Sequence, residues 1–314
     1  MGRGPLYDKD YRPMFSGHET FPLRYGWLKK VYDAVVEDSV TSCDKSVFRS
    51  DDAIARFGVG KNMVASMRHW ATYGGIIVEP PSTGRVETTP IGDFLFGPDG
   101  VDPFLENPTS LWLIHWLLCS GCSGKQFKTT WYWVFNQYSG QSFRRDELVA
   151  GLLKLADLLG WPRVSETTVR RDVECFVRTY EVGVAGKASS VEDVIECPLG
   201  ELALIQGAKG GNYHLIRGPK PSLSPGVFAY ALDSFWNYIG ATKTLSFETV
   251  AHEPGSPGRV FLLDEPDLAE RLLALEDVTG GRFRWSETAG LKQVIRSGPL
   301  DDISRHLLLS MDYR

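Results

Sequence analysis

The sequence predicts a mainly α-helical α+β protein: tandem winged helix-turn-helix modules with short β-hairpins, followed by a C-terminal α+β domain. Three patterns lead there. Apolar residues recur at helical spacing in several separate windows. Two helix–turn–helix patterns follow one another, at about 46–96 and again at about 144–180. Gly-containing turns between β-type runs mark hairpins. The 314 residues, 43% of them hydrophobic, suffice for two or three cores of ordinary size.

The segment FSGHETFPLRYGWLKKVYDAVVED reads as a loop and then a helix from about Tyr25 to Glu37, with Trp27, Leu28, Val31, Tyr32 and Val35 on one face. A loop, TSCDK, leads to DDAIARFG, a short helix capped by Asp51 or Ser50 and ended by Gly58, where a tight turn needs positive φ. A second helix runs from about Lys61 to Tyr73. Gly74-Gly75, a strand IIVE, a turn PPSTGR and a strand VETTP then complete a hairpin. This is the element order of a winged helix, whose second helix enters the major groove while the hairpin touches the DNA backbone. Val64, Met67, Trp70 and Ala71 should face the core. Lys61, Asn62, Ser66, Arg68 and His69 should face solvent or DNA. Asn and Arg read base edges, and Lys61 and Arg85 suit phosphates. A winged helix used for protein contacts is the alternative.

The domain division expected is 1–100 for the loop, helix and first winged module, 101–182 for an aromatic helical region with the second module, 183–222 for a linker, and 223–314 for the last domain. In LWLIHWLL, Trp112, His115 and Trp116 share a helix face that suits a core, with His115 hydrogen-bonded and inert. Cys119 and Cys122 form one CxxC without a second ligand pair, so they read as packing or loop thiols. Five irregularly spaced cysteines give no disulfide framework and fit a reducing compartment.

The second module has a helix from about Arg144 to Leu159. Ser165 then caps a further helix, with Val169, Val173, Phe176, Val177 and Tyr180 inward. Thr167, Thr168, Arg170 and Arg171 project from its start, where a recognition helix meets DNA. The run SETTVRRDV is similar to recognition helices of bacterial repressors. The linker should carry short strands at about 202–206 and 212–217, with Gly210-Gly211 as their turn; AKGGN lacks the spacing of a phosphate-binding loop. The last third reads as a helix GVFAYALDSFWNYIG, the segments SFETVAHE and RVFLLDE, a helix PDLAERLLALEDVTG, a strand RFRWSE and a helix LKQVIRS.

Charge limits how DNA could be held. A formal net charge of −5 argues against coating nucleic acid by bulk attraction, so any contact must be local. Residues 246–314 carry twelve acidic and eight basic side chains, whereas 49–72 carries Arg49, Arg56, Lys61 and Arg68 against Asp51 and Asp52. The absence of a long apolar run and of a signal peptide points to a cytoplasmic protein with no membrane contact.

The opening FSGHETFPLRYGWLKKVYDAV, the LWLIHWLL segment and the LDEPD stretch together resemble the SspB-like family of bacterial DNA phosphorothioation (Ssp) defence systems. That resemblance implies a DNA-nicking component of anti-phage defence, working on double-stranded DNA beside an ATPase, an ATP pyrophosphatase and a cysteine desulfurase. A homodimer is compatible with it. The alternatives are a non-enzymatic winged-helix regulator and a scaffold that recruits the ATPase. Phosphodiester cleavage commonly uses a divalent metal, here Mg²⁺ or Mn²⁺, yet the metal ligands are not readable: no PD-(D/E)xK, His-Asn-His or HxK pattern is present. His18 and Glu19, in the signature loop, are the catalytic candidates, against a structural role in bonding the loop. His252-Glu253 and Asp264 to Asp267 are weaker, and the latter group fits helix initiation.

Overall fold

In the computed structural model, residues 4–37, 41–49, 52–122, 127–181, 197–240, 243–288 and 290–313 are described. The protein is mixed α+β, with three small three-stranded antiparallel sheets among those residues. Helix α1 (Trp27–Val36) buries the expected stripe of Trp27, Leu28, Val31, Tyr32 and Val35, with Ala34 added. A first unit follows. It comprises β1 (Ser42–Asp44), α2 (Ala53–Phe57), α3 (Lys61–Tyr73) and the hairpin β2 (Ile77–Val78) and β3 (Arg85–Thr88). Gly58 ends α2 at φ 66°, a backbone conformation that favours glycine. The expected caps Ser50 and Asp51 lie outside the described residues.

After α4 (Pro90–Phe96) come α5 (Pro108–Cys119) and α6 (Thr129–Asn136). Every residue of α5 after Pro108 is buried, so this helix is apolar on all sides rather than on one face. His115 sits within it, fully buried, between the Tyr180 hydroxyl and the Val260 carbonyl at 2.8 Å each. Cys119 is buried beside them, and Cys122 lies against the Ser120 and Gly255 carbonyls.

A second unit is built from β4 (Ser142–Arg144), α7 (Arg145–Leu159), α8 (Glu166–Tyr180), β5 (Ile205–Gly207) and β6 (Asn212–Leu215). The Ser165 side chain caps α8 by accepting from the Thr168 N–H, and the five residues expected inward on α8 are all fully buried. The hairpin expected inside a linker instead closes a sheet: β6 pairs with β4 through Phe143 and Tyr213, whose rings stack with centroids 5.4 Å apart. A strand of three or four residues has little stability alone, and packing against α7 and α8 supplies the missing contacts.

Helix α9 (Pro225–Ile239) leads to a third unit of β7 (Thr244–Ser246), α10 (Phe247–His252), α11 (Pro257–Val260), α12 (Glu265–Val278), β8 (Phe283–Thr288) and β9 (Leu291–Arg296); α13 (Asp302–Ser310) closes the chain. The helix expected at LKQVIRS is a strand. Gly290, at φ 79°, turns the chain so that Leu291–Arg296 returns along β8, with Val294 opposite Trp285 and buried. Pairing and burial there override a short helical pattern. SFETVAHE is mostly α10, and RVFLLDE runs from α11 into the start of α12.

The three sheets share one design: β1-β3-β2, β4-β6-β5 and β7-β9-β8. In each, a short strand is followed by helices, and the second strand of the closing hairpin returns to the middle. One apolar cluster runs through all three units and α5. Among the described residues, no helix is long and apolar enough to cross a membrane.

Candidate functional site beneath the signature loop

The loop between Phe15 and Gly26 lies along α3. His18 accepts the Phe21 N–H at its carbonyl, 2.8 Å away, making a turn whose central residues Glu19 and Thr20 stand at φ 48° and 68°. Positive φ is costly for any side chain and most of all for β-branched Thr, so neighbouring contacts must hold the turn. Several do. The Phe21 carbonyl accepts Trp70 Nε1 at 2.9 Å and Ser66 Oγ at 3.5 Å. His18 Nδ1 accepts the Thr20 N–H at 2.9 Å, which leaves Nε2 to carry the proton and donate to Asp172 Oδ1 at 2.9 Å.

Asp172 is the hub of this network and is completely buried. Lys128 Nζ lies 3.0 Å from Oδ1, and Thr130 Oγ1 donates to Oδ2 at 2.5 Å. Burial alone would push the carboxyl upward, but the Lys128 charge and the His18 and Thr130 hydrogen bonds outweigh it and hold it below the ordinary aspartate value. Lys128 is itself buried over the Trp131 ring, 4.9 Å from its centroid.

A cleft of about 440 Å³ opens between the loop and α3. Gly17 and Glu19 border it from the loop, Arg68, His69 and Tyr73 from α3, and Lys45 and Glu79 from the first unit's sheet side. Gly17 permits this approach: a Cβ there would stand 2.6 Å from His69 Nδ1. His69 is buried against Tyr73, with ring centroids 4.5 Å apart, and its Nε2 has no hydrogen-bond partner among the described residues. Desolvation holds its imidazole well below the usual value, and the nearby Lys128 charge adds to this. A neutral imidazole beside a cleft can accept a proton or a hydrogen bond.

The cations of the cleft are already engaged. Arg68 meets Glu79 in bidentate fashion, Nε to Oε1 at 2.6 Å and Nη2 to Oε2 at 2.5 Å, while Lys45 Nζ is 3.4 Å from the same carboxylate. Partial burial raises the Glu79 pKa, yet the hydrogen bond and charge of Arg68, with Lys45, bring it below normal.

The residues expected on DNA fall into distinct environments. Lys61 and Asn62 are exposed at the start of α3. Ser66 and His69 are not: the signature loop covers that side of the helix, correcting the expectation that they face solvent. Arg85 is exposed on β3, donating to Ser42 Oγ at 2.6 Å. On α8, Thr167 and Arg171 are exposed, Thr168 joins the Ser165 cap, and Arg170 is bridged to Asp146 and Glu166 at 2.5 and 2.8 Å. His18 lies inside the Asp172 network, a structural position, whereas Glu19 next to it is exposed on the cleft. His252 is exposed, 3.5 and 3.6 Å from Glu248 and Glu265, and Asp264 caps α12 through the Asp267 N–H.

Asp172 escaped the sequence reading although a signal was present. It stands three residues after Val169 and four before Phe176, a carboxylate inside an apolar stripe, which burial tolerates only with cationic partners. Among the described residues no three His, Cys, Asp or Glu side chains converge to hold a metal ion.

Fold and site together define an α+β protein of three repeated sheet units with a strained loop clamped over one of its helices. The chain belongs to the DUF4007 family of proteins of unknown function, which matches residues 15–313. It is similar to a magnesium ion-bound SspB crystal structure, with a TM-score of 0.85 and 27% identity over 99% of this chain and 90% of that one. A second SspB crystal structure matches with a TM-score of 0.83 and 28% identity over 98% of this chain and 90% of that one. Comparison with curated proteins finds no match.

Asp172→Asn leaves Lys128 buried without its counter-charge and should destabilise the protein by about 3–5 kcal/mol, read from chemical denaturation. A second expectation concerns acid. Burial holds His115 down to about 4 and His69 well below the usual value, so both fold as neutral groups. Their unfolded counterparts protonate near pH ~6.5, and the unfolded state then binds more protons. Stability contributed by these neutral histidines is therefore present above that pH and lost as pH falls through it. Between pH 7 and pH 5 the His115 contribution should fall by about 2 kcal/mol, His69 should act in the same direction, and His69→Asn should make the pH dependence shallower.

Proposed function

We propose that this protein is the DNA-contacting component of an Ssp-type DNA phosphorothioation and anti-phage defence system, and that it nicks DNA to expose the site of sulfur insertion. The observation that carries the reading is the likeness to SspB at 27–28% identity along nearly the whole chain. The repeated order of short strand, helices and returning hairpin supports reading the units as winged helix-turn-helix modules. In that reading α3 and α8 are the recognition helices, Lys61, Asn62 and Arg171 are their forward contacts, and Arg85 is a wing contact with phosphate. An ATPase, an ATP pyrophosphatase and a cysteine desulfurase are the partners it would serve.

The cleft under the signature loop is the proposed place of backbone cleavage. Glu19 offers a solvent-facing carboxylate, and His69 a neutral imidazole. Lys45 and Arg68 could receive a phosphate if it displaced Glu79. Magnesium in the neighbouring SspB structure makes a divalent ion worth supplying, although the described residues offer no three-ligand cluster and no step is derived through a metal. A metal that keeps most of its waters and binds substrate phosphates needs only one or two protein carboxylates.

A second reading, a scaffold that binds protein through the same helices, is favoured by one observation: Arg68 and Arg170 are already neutralised by carboxylates. The two readings separate on plasmid DNA. Supercoiled plasmid incubated with the protein and Mg²⁺ or Mn²⁺ should become open-circular, and Glu19→Gln should slow this on the order of 10²-fold with DNA binding intact. Binding without any open-circle product removes the nicking claim. Lys61→Ala and Arg85→Ala should each lower the salt dependence of DNA binding by about one unit of slope; unchanged binding in both would favour the scaffold.

A further inference from the structure

A cavity of about 530 Å³ lies where the turn after α6, the end of β6 and the α11–α12 connection meet. Its floor is apolar, formed in part by Phe135, Leu215 and Leu262. Two arginines line it, Arg217 and Arg259. Each is fixed by backbone carbonyls. Arg217 Nη1 donates to Leu263 O at 2.8 Å, and Arg259 donates through Nε and Nη2 to Asn136 O at 2.9 and 2.6 Å and through Nη2 to Tyr138 O at 3.2 Å.

Neither guanidinium forms an ion pair among the described residues. Elsewhere the fold supplies a carboxylate to such cations: Arg68 has Glu79, Arg271 has Asp267, and Arg296 and Arg305 share Asp233. Close to Arg217 in the chain, Lys220 is buried with its ammonium on the Ile216 and Gly218 carbonyls, again without an ion pair among the described residues. Arg259 is held below the ordinary arginine value by desolvation and then by the Arg217 charge, so the two guanidiniums feel each other. The carboxylates at the rim are Asp264 and Glu265; the Asp264 charge partly offsets the desolvation of Arg217 without reaching ion-pair distance. Asp264 Oδ1 accepts the Asp267 N–H, and Glu265 lies 3.6 Å from His252.

Two neighbouring guanidiniums that are oriented by carbonyls keep unused N–H groups: Nε and Nη2 on Arg217, and Nη1 on Arg259. Planar donors with fixed direction suit the oxygens of a phosphate, which accepts several charge-assisted hydrogen bonds at once. The apolar floor and the volume, within the ~300–1,000 Å³ of small-ligand sites, leave room for a nucleoside attached to that phosphate. We infer that this cavity is an oxyanion site for the phosphate of a nucleotide, with Arg217 and Arg259 as its donors. The phosphate comes either from a free nucleotide or from a DNA strand.

The site uses no residue of the α3 and α8 surfaces, so it stands or falls separately from the reading above. Calorimetric titration of the full chain with dTMP and with a (dT)12 strand tests it. Binding of dTMP identifies a free nucleotide, and binding of (dT)12 alone identifies strand phosphates. In either case Arg217→Gln should weaken binding of the responding probe roughly tenfold or more while the melting temperature stays unchanged. Arg259→Gln should do the same; if it unfolds, Arg217→Gln, whose side chain is exposed, decides alone. Absence of binding by both probes, or binding that Arg217→Gln leaves intact, overturns the assignment.

Discussion

A single buried carboxylate, Asp172, holds the candidate site of this molecule together. Taking a carboxylate out of water is expensive, and it is tolerated here because Lys128, His18 and Thr130 all converge on its two oxygens. Those partners come from the signature loop and from the start of α6, whereas Asp172 lies on α8 of the second unit. The ion pair is therefore also a joint. It keeps a turn with two positive-φ side chains seated against α3, and that turn forms one wall of the cleft. Pre-set backbone strain of this kind persists only where surrounding contacts over-determine it.

The helices were largely legible in the sequence, because their apolar stripes and caps are local. The bounds of α3 and the Ser165 cap of α8 follow from spacing and residue type alone. What was not legible depends on partners distant in the chain. The strand at Leu291–Arg296 is decided by pairing with β8, and the hairpin at 205–215 by pairing with β4 about seventy residues earlier. Burial of Ser66 and His69 is decided by a loop about fifty residues upstream. In the candidate site, the loop was singled out, but the roles within it were not separated: His18 belongs to the interior and Glu19 to the surface.

The repeated sheet order gives the protein three similar units whose helices present different surfaces. In the first, a loop is clamped on α3; in the second, α8 carries Asp172 inward and Arg171 outward; the third packs its strand pair against α12 and α9. Function on such a scaffold is set by what is added to each unit rather than by the unit itself. The overall acidity sharpens the point, since a chain with net charge −5 must concentrate any attraction for polyanions in a few side chains.

Arg68 illustrates what that concentration entails. Its guanidinium is already seated on Glu79 with both oxygens used, so an incoming anion meets a competitor rather than an open charge. A passing acidic peptide offers the same chemistry as Glu79 and gains nothing by exchange. Only a ligand that brings additional simultaneous contacts can turn the exchange in its favour. Any anion arriving at Arg68 would thus face a threshold set by the intramolecular carboxylate already in place.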